Sequence, residues 1–251
     1  LMETYDGGHS WGDMYDLGNH IIASAQGYSD YTGPLNYIES HDETRVIYEA
    51  IHYQGMSNST AFKKSKLGAT ILFTGQGTPM IYHGQEFGQN GTSRDQNNNI
   101  IPQPLQWDNL NNENGADLFE DYKNIIALRK HYDVLRSGNL DIKYQSSYNK
   151  CIVYWRIGAG EEVIVVANYS NSTKSIDIEF PHEGIWYNFL DGGSITIESN
   201  WYGGYQIPAS TVIVFLSEIP EFETEEQLIG DVNNDLGIDV LDVVLLVDFI
   251  I

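Results

Sequence analysis

Apolar residues change their rhythm once along this chain, near residue 135, and no other feature limits the fold as much. Before that point, short apolar runs alternate with helical patterns. Leu35–Glu39 and Thr78–Tyr82 read as strands, and residues 13–25, 61–74 and 117–131 as helices. In the last of these, Leu118, Tyr122, Ile125 and Ile126 fall on one helical face. Strands that alternate with helices predict a parallel sheet with crossover helices over residues 1–135. The Asn-rich stretch 89–114 predicts a loop of a length that is usually functional or disordered. Beyond 135, runs such as Ile152–Trp155, Val163–Ala167 and Val212–Phe215 are short, β-branched or aromatic, and separated by Gly, Asn, Ser and Asp. They predict a small antiparallel β-sandwich over 136–217. Residues 218–229 are acidic without a clear period and read as a linker, and 230–251 form a separate short element. The expected fold class is α/β followed by all-β.

Charge narrows the set of partners. Thirty-five acidic residues against 13 basic ones give a net charge of −22. Such a surface repels phosphate backbones and anionic membranes, so nucleic acid and membrane surfaces are not expected partners, whereas a neutral substrate is. No apolar run approaches the ~20 residues of a membrane span. The single cysteine, Cys151, rules out an intrachain disulfide and sits in an apolar run, as a packing residue does. The chain starts at Leu1 in what reads as mid-domain sequence, so a signal peptide is expected in a preceding part and the protein is expected to be secreted.

Two motifs carry chemistry. In LNYIESHDETR (35–45), a strand ends in Ser40-His41-Asp42 and a polar loop follows. At the C-terminal end of a strand in a parallel barrel, such a pair faces the active site. There a carboxylate beside an imidazole can bond sugar hydroxyls and stabilise positive charge at an anomeric carbon. Taken alone, such a dipeptide in a loop is more often a turn or helix cap. In GQGTPMIYHGQEFG (75–88), a Gly-rich turn leads into a strand and then a loop opening Gly84-Gln85-Glu86. About 40 residues and one helix separate the two strands, as one βαβ unit requires. Trp107-Asp108 follows, then the helix ending LRKHYDVLRSG.

This ordered set resembles the α-amylase superfamily of glycoside hydrolases over residues 1–217. The resemblance implies the C-terminal portion of a TIM (β/α)8 barrel, closing with its seventh and eighth strands, followed by a C-terminal β-domain. It implies retaining cleavage of α-glucosidic bonds in an α-glucan polysaccharide or oligosaccharide. It further implies that Asp42 is the carboxylate that stabilises the transition state and that His41 binds the same sugar, with Ser40 where many members have Asn. Arg45 is placed with them as a substrate-binding residue, with pairing to a nearby acid and a solvated surface position as the alternatives. The Gly-Gln-Glu run implies a structural role for Glu86. Of the tryptophans that could stack on sugars, Trp107, Trp186 and Trp201, the latter two are expected in the β-domain core.

A complete barrel of this kind takes ~250 residues, and here the barrel-like part ends near residue 131. The family's nucleophile context, Gly-x-Arg-x-Asp, does not occur in the chain, and Glu3 lies one strand before His41-Asp42, where the acid/base would lie two before. The chain is therefore expected to lack both groups and to hydrolyse no glucan by itself. Two alternatives stand beside hydrolysis: a glucan-branching or other transglycosylase of the same superfamily, and a non-catalytic carbohydrate- or scaffold-binding protein.

The end of the chain adds a metal expectation. In DVNNDLGIDVLD (231–242), oxygen-bearing side chains fall at loop positions 1, 3, 5, 9 and 12: Asp231, Asn233, Asp235, Asp239 and Asp242. That spacing wraps a loop around calcium, and an apolar helix follows. The segment resembles one repeat of a type I dockerin, which implies calcium as cofactor and a cohesin-type scaffold as partner. It departs from the pattern in having Leu236 at position 6 with Gly237 one later, and in having a single repeat. An acidic turn before a packing helix is the alternative.

Overall fold

A computed structural model describes residues 5–6, 9–10, 13–95, 97, 99–220 and 222. Glu3 and the whole calcium-type loop, with Asp231, Asn233, Asp235, Asp239 and Asp242, lie outside the described residues. The chain divides between Ile219 and Pro220, inside the stretch expected as a linker, and Leu1–Ile219 forms one compact unit.

The first half is short strands and longer helices. Strands β1 (Tyr5–Asp6) and β2 (His9–Ser10) pair antiparallel. Helix α1 (Met14–His20) begins on a capping box, in which Asp13 accepts the N–H groups of Tyr15 and Asp16 and donates its own to Asp16. Strand β3 (Leu35–Asn36) is followed by α2 (Val46–Tyr48), which runs on as a π-helical turn over Glu49–Tyr53, then by α3 (Asn58–Thr74) and β4 (Thr78–Pro79). β3 and β4 pair in parallel, Leu35 opposite Thr78 and Asn36 opposite Pro79. This is the expected βαβ unit, with strands shorter than the expected 35–39 and 78–82. Pro79 has no N–H to extend the ladder, and beyond Ile38 the chain turns inward around the buried Glu39. Gly77 permits the close approach of the two strands: at its φ of +101° a Cβ would stand 2.5 Å from Asn36 Nδ2.

Helix α3 starts at Ser57, whose hydroxyl accepts the Thr60 N–H at 3.2 Å, three residues before the apolar pattern begins. Helix α4 (Glu113–His131) starts likewise at Asn112, which accepts the Gly115 N–H at 2.9 Å, and ends in Arg129, Lys130 and His131, complementing its dipole. Leu118, Tyr122 and Ile125 of α4 are buried against Ala69, Leu72 and Phe73 of α3, with Ile126 packed at the edge. Helix α5 (Asp133–Ser137) follows directly, so helical structure runs past the expected boundary at 135.

The second half is β throughout: β5 (Asp141–Ser146), β6 (Cys151–Gly158), β7 (Glu161–Asn168), β8 (Lys174–Glu179), β9 (Gly184–Asn188), β10 (Ser194–Ile197), β11 (Trp201–Ile207) and β12 (Thr211–Leu216). Six strands form one antiparallel sheet in the order β10-β9-β12-β7-β6-β5, and β11 pairs with β8 in a second. Alternation along the central strands shows why their apolar runs are unbroken. Val163, Val165, Val212, Val214, Ile152 and Tyr154 face the helices, packing with Leu67, Ile71, Leu128 and Leu135. Ile164, Val166, Ile213, Phe215 and Val153 face the small sheet, packing with Ile176, Ile178, Phe180 and Trp186. The large sheet is thus covered on both sides, which an alternating polar strand could not be. Cys151 is buried and unpaired, as expected of a packing residue, and burial pushes its thiol up to about 11. Trp186 is in the core, but Trp201 is 58% exposed and corrects the expectation made for it. Trp201 stands opposite Glu179 on the outward face of the two-stranded sheet, just before the register shift between Tyr202 and Tyr205.

Buried cations join the two halves. The last carbonyls of α3 have no partner within the helix. Arg129 of α4 donates to Phe73 O (2.6 Å), Gly75 O (3.2 Å) and Gly77 O (2.6 Å). Arg156 of β6, wholly buried, donates to Thr74 O, Val134 O, Gly138 O and Asn139 O. Burial pushes both guanidiniums down to about 10, so they stay charged at neutral pH. Lys64, also buried, donates from α3 to the Tyr169 carbonyl.

Two outcomes follow from this packing. Arg156→Met keeps the bulk of the side chain and strands several buried carbonyls, each worth roughly 1–3 kcal/mol when unsatisfied; the urea midpoint is expected to fall by about 3 kcal/mol equivalent, and an unchanged midpoint would show the contacts to be idle. His182 on the β-domain bonds the Glu183 carbonyl at 2.7 Å and the Glu162 carboxylate at 2.6 Å, and both raise its pKa. A raised folded pKa stabilises fully below the ordinary histidine range and is lost as pH rises through the folded value. Thermal melts of wild type and His182→Gln across pH 5–9 are therefore expected to differ most at the acid end and to converge at the alkaline end.

Candidate functional site

The turn after β3 presents His41 and Asp42 to solvent and buries the residues on either side of it. The Ser40 hydroxyl, itself buried, accepts the Asp42 N–H at 3.2 Å, and the Glu43 N–H donates to Ser40 O at 3.3 Å, closing a tight turn. At its tip the His41 and Asp42 side chains are 76% and 57% exposed, with Nε2 and Oδ2 3.2 Å apart. The pair expected from the sequence therefore stands together, outward, but on a turn that follows β3 after its last residue, Asn36, and not on the strand end itself.

The long loop after β4 lies across this turn. Ser93 donates to Asp42 O at 3.1 Å, the Arg45 N–H donates to Gly91 O at 3.0 Å, and Arg94 Nη2 stands 3.4 Å from Asp42 Oδ1. The Asp42 carboxylate thus has an imidazole on one oxygen and a guanidinium on the other. Both are donors in reach of whatever binds there, and the carboxylate keeps free faces toward solvent. Arg94 was not singled out from the sequence, although it is the sole basic residue of the stretch 89–114. Asp95 orders the loop from within: the Asn99 side chain and the Asn99 and Asn97 N–H groups bond its carboxylate and hold it below the usual range.

Arg45 does not share this exposure, and its placement as a residue facing substrate is corrected. It is wholly buried, with Nη1 3.0 Å from Glu39 Oε2, Nε 2.7 Å from Gln103 Oε1, and its guanidinium 3.9 Å over the Tyr82 ring. The pairing with a nearby acid is the arrangement present. Burial pushes the Glu39 carboxyl up; the Val46 N–H and Arg45 pull the other way, and Glu86 adds to the upward push.

The Gly84-Gln85-Glu86 run forms a 3-10 turn over Gln85–Phe87. Gly84 sits at φ +86°, where side chains are strained, and a Cβ there would also crowd Gln89, whose Cβ would stand 2.9 Å away. Gln85 donates to the Tyr122 hydroxyl of α4 at 2.7 Å, and Glu86 keeps one oxygen buried without a hydrogen-bond partner. Trp107 is 61% exposed, with its ring tilted on Phe87 at 5.5 Å. A cavity of about 330 Å³ lies between α1, β3 and α3, lined by Met14, Leu17, Ile21, Ile38 and Ile71 among others; neither His41 nor Asp42 lines it. Among the described residues no cluster of three or more His, Cys, Asp or Glu could hold a metal ion, and no helix is long and apolar enough to cross a membrane.

Comparison with known proteins places these features. Residues 11–117 match the family model "Alpha amylase, catalytic domain". A cyclomaltodextrinase of Geobacillus thermopakistaniensis is 28% identical over 166 residues, covering 66% of this chain and 26% of that enzyme. A 4-alpha-glucanotransferase of Thermotoga neapolitana is 32% identical over 97 residues, covering 39% of this chain and 20% of its own. The chain spans about a quarter of the length of the curated relatives it matches first. The crystal structure of a pullulanase from Anoxybacillus sp. LM18-11 superposes with a TM-score of 0.65 at 17% identity, over 81% of this chain and 30% of that one. Such a superposition fits a partial α/β barrel joined to a β-domain. Through residues 11–117, where the His41-Asp42 turn and the Gly-Gln-Glu turn both lie, this chain is similar to the alpha amylase catalytic domain.

Proposed function

We propose that the chain is the closing part of the catalytic barrel, with the following β-domain, of a secreted glycoside hydrolase that cleaves α-glucosidic bonds with retention. In this reading Asp42 stabilises the positive charge developing at the anomeric carbon, and His41 binds the same sugar. The observation that supports it is the outward presentation of the two side chains, 3.2 Å apart, on the tight turn that follows β3. Retaining cleavage needs one carboxylate that attacks and one that protonates the leaving oxygen. Asp42 is neither. It acts through its negative charge, which matters most when the sugar is oxocarbenium-like. The nucleophile and acid/base belong, in this reading, to parts of the enzyme outside residues 1–251, and the chain alone turns over no glucan.

A second reading, transfer of the glycosyl unit to a sugar acceptor, is favoured by the similarity to a 4-alpha-glucanotransferase. The same turn serves both, and counting new reducing ends against elongated or branched products tells them apart.

The proposal extends to the end of the chain. Asp231, Asn233, Asp235, Asp239 and Asp242 supply a set of hard oxygen donors that suits calcium, and a cohesin-type scaffold is the partner such a loop implies.

Asp42→Asn in the intact enzyme is expected to lower kcat more than tenfold, a loss above ~1.4 kcal/mol, with the fold unchanged. Steady-state kinetics on maltooligosaccharides check it, and a variant that keeps over about a tenth of its turnover removes Asp42 from this role. Calorimetric titration of the chain with calcium is expected to give a saturable signal that Asp231→Ala with Asp242→Ala abolishes; silence at millimolar calcium, the weak end of such loops, leaves only the packing-turn alternative.

A further inference from the structure

The turn that carries His41 and Asp42 is built around an ion pair whose own groups never reach the surface. Glu39 is 1% exposed and Arg45 wholly buried, one on each side of the turn. Glu39 uses both oxygens: Oε1 accepts the Val46 N–H at 2.7 Å and Oε2 accepts Arg45 Nη1 at 3.0 Å. These two bonds draw the residue before the turn onto the two residues after it, which sets the width of the loop. Arg45 then fixes the loop to its surroundings, through Nε to Gln103, through its face to the Tyr82 ring, and through its N–H to Gly91. Gly91 and Gln103 belong to the same long loop that supplies Ser93 and Arg94 to Asp42. The buried pair thus ties together the two ends of the turn and holds them to the loop that lies across it.

Stability alone is a poor reason for such a pair. Taking two charges out of water costs much of what their attraction returns, and apolar residues of like volume often serve a core as well. The arrangement is not even saturated, since Arg45 Nη2 is buried with no hydrogen-bond partner. What the pair supplies, and apolar side chains cannot, is direction: each bond constrains an angle as well as a distance.

We propose that Glu39 and Arg45 are positioning residues that set where the Asp42 carboxylate and the His41 imidazole stand against a bound α-glucan. The inference rests on the reading that His41 and Asp42 meet the sugar.

Its test is the titration of the chain with maltoheptaose, followed through the imidazole resonances of His41 assigned by His41→Gln, with thermal melts in parallel. Wild type is expected to bind saturably and Asp42→Asn to bind more weakly. Glu39→Gln leaves the Arg45 charge buried and unmatched, so it is expected to melt lower and to bind at least tenfold more weakly. The double variant Glu39→Gln/Arg45→Met removes both charges and keeps the bulk. It is expected to recover melting temperature and still bind at least tenfold more weakly, because the directional bonds are gone. Wild-type affinity in either Glu39 variant would show that the pair serves the core alone and overturn the inference, leaving the function standing. A wild-type chain that does not bind maltoheptaose, or an Asp42→Asn chain that binds it equally well, overturns the underlying reading instead, and this inference with it.

Discussion

The carbonyl oxygens that close α3 point into a region water does not reach, and the arrangement of the molecule depends on what meets them there. Two arginines from different parts of the chain do so. Arg129 comes from the neighbouring helix and Arg156 from a strand of the large sheet, and between them they occupy Phe73, Thr74, Gly75 and Gly77. Five donors in a planar fork can satisfy several carbonyls at once, which a lysine or an amide could not do in the same space. Because Arg156 also bonds Val134, Gly138 and Asn139, the end of α3, the end of α5 and the sheet are fixed by one side chain. The helices thereby cover one face of the six-stranded sheet, and the sheet becomes the middle layer of three.

That middle position explains what could and could not be seen in the residues themselves. Unbroken runs such as Val163–Ala167 announce burial on both faces, but not by what. A sandwich satisfies such a run as well as a helical layer does, and the pattern within one strand cannot distinguish them. The amphipathic faces of α3 and α4 and the caps at Ser57 and Asn112 are local in sequence, and so they were legible. Trp201 was misplaced because a register shift at Gly203 and Gly204 decides which way its strand faces, and a bulge has no sequence period.

The site divides in the same way. Ser40-His41-Asp42 is contiguous, and its turn chemistry is written in three residues. The groups that complete it are not near it in sequence. Arg94 reaches Asp42 from 52 residues away, and Gln103 reaches Arg45 from 58. Glu39 and Arg45 are close in number, but a spacing of six across a turn belongs to no regular element. A charged residue in a polar loop is ordinarily solvated, so nothing local in the sequence distinguishes a buried arginine there from an exposed one.

Burying these cations also affects how the molecule behaves among its neighbours. Lys64, Arg45, Arg129 and Arg156 all lie inside, facing carbonyls or a buried acid, in a chain with only 13 basic residues. Cations held in the interior are not available to pair with acids on the surface. The surface met by an approaching molecule therefore carries fewer cations than the count of 13 conveys, on a chain whose net charge is −22. Copies of the chain repel one another at low ionic strength, and added salt, which shortens that repulsion to about a nanometre at 0.1 M, governs how closely they can crowd.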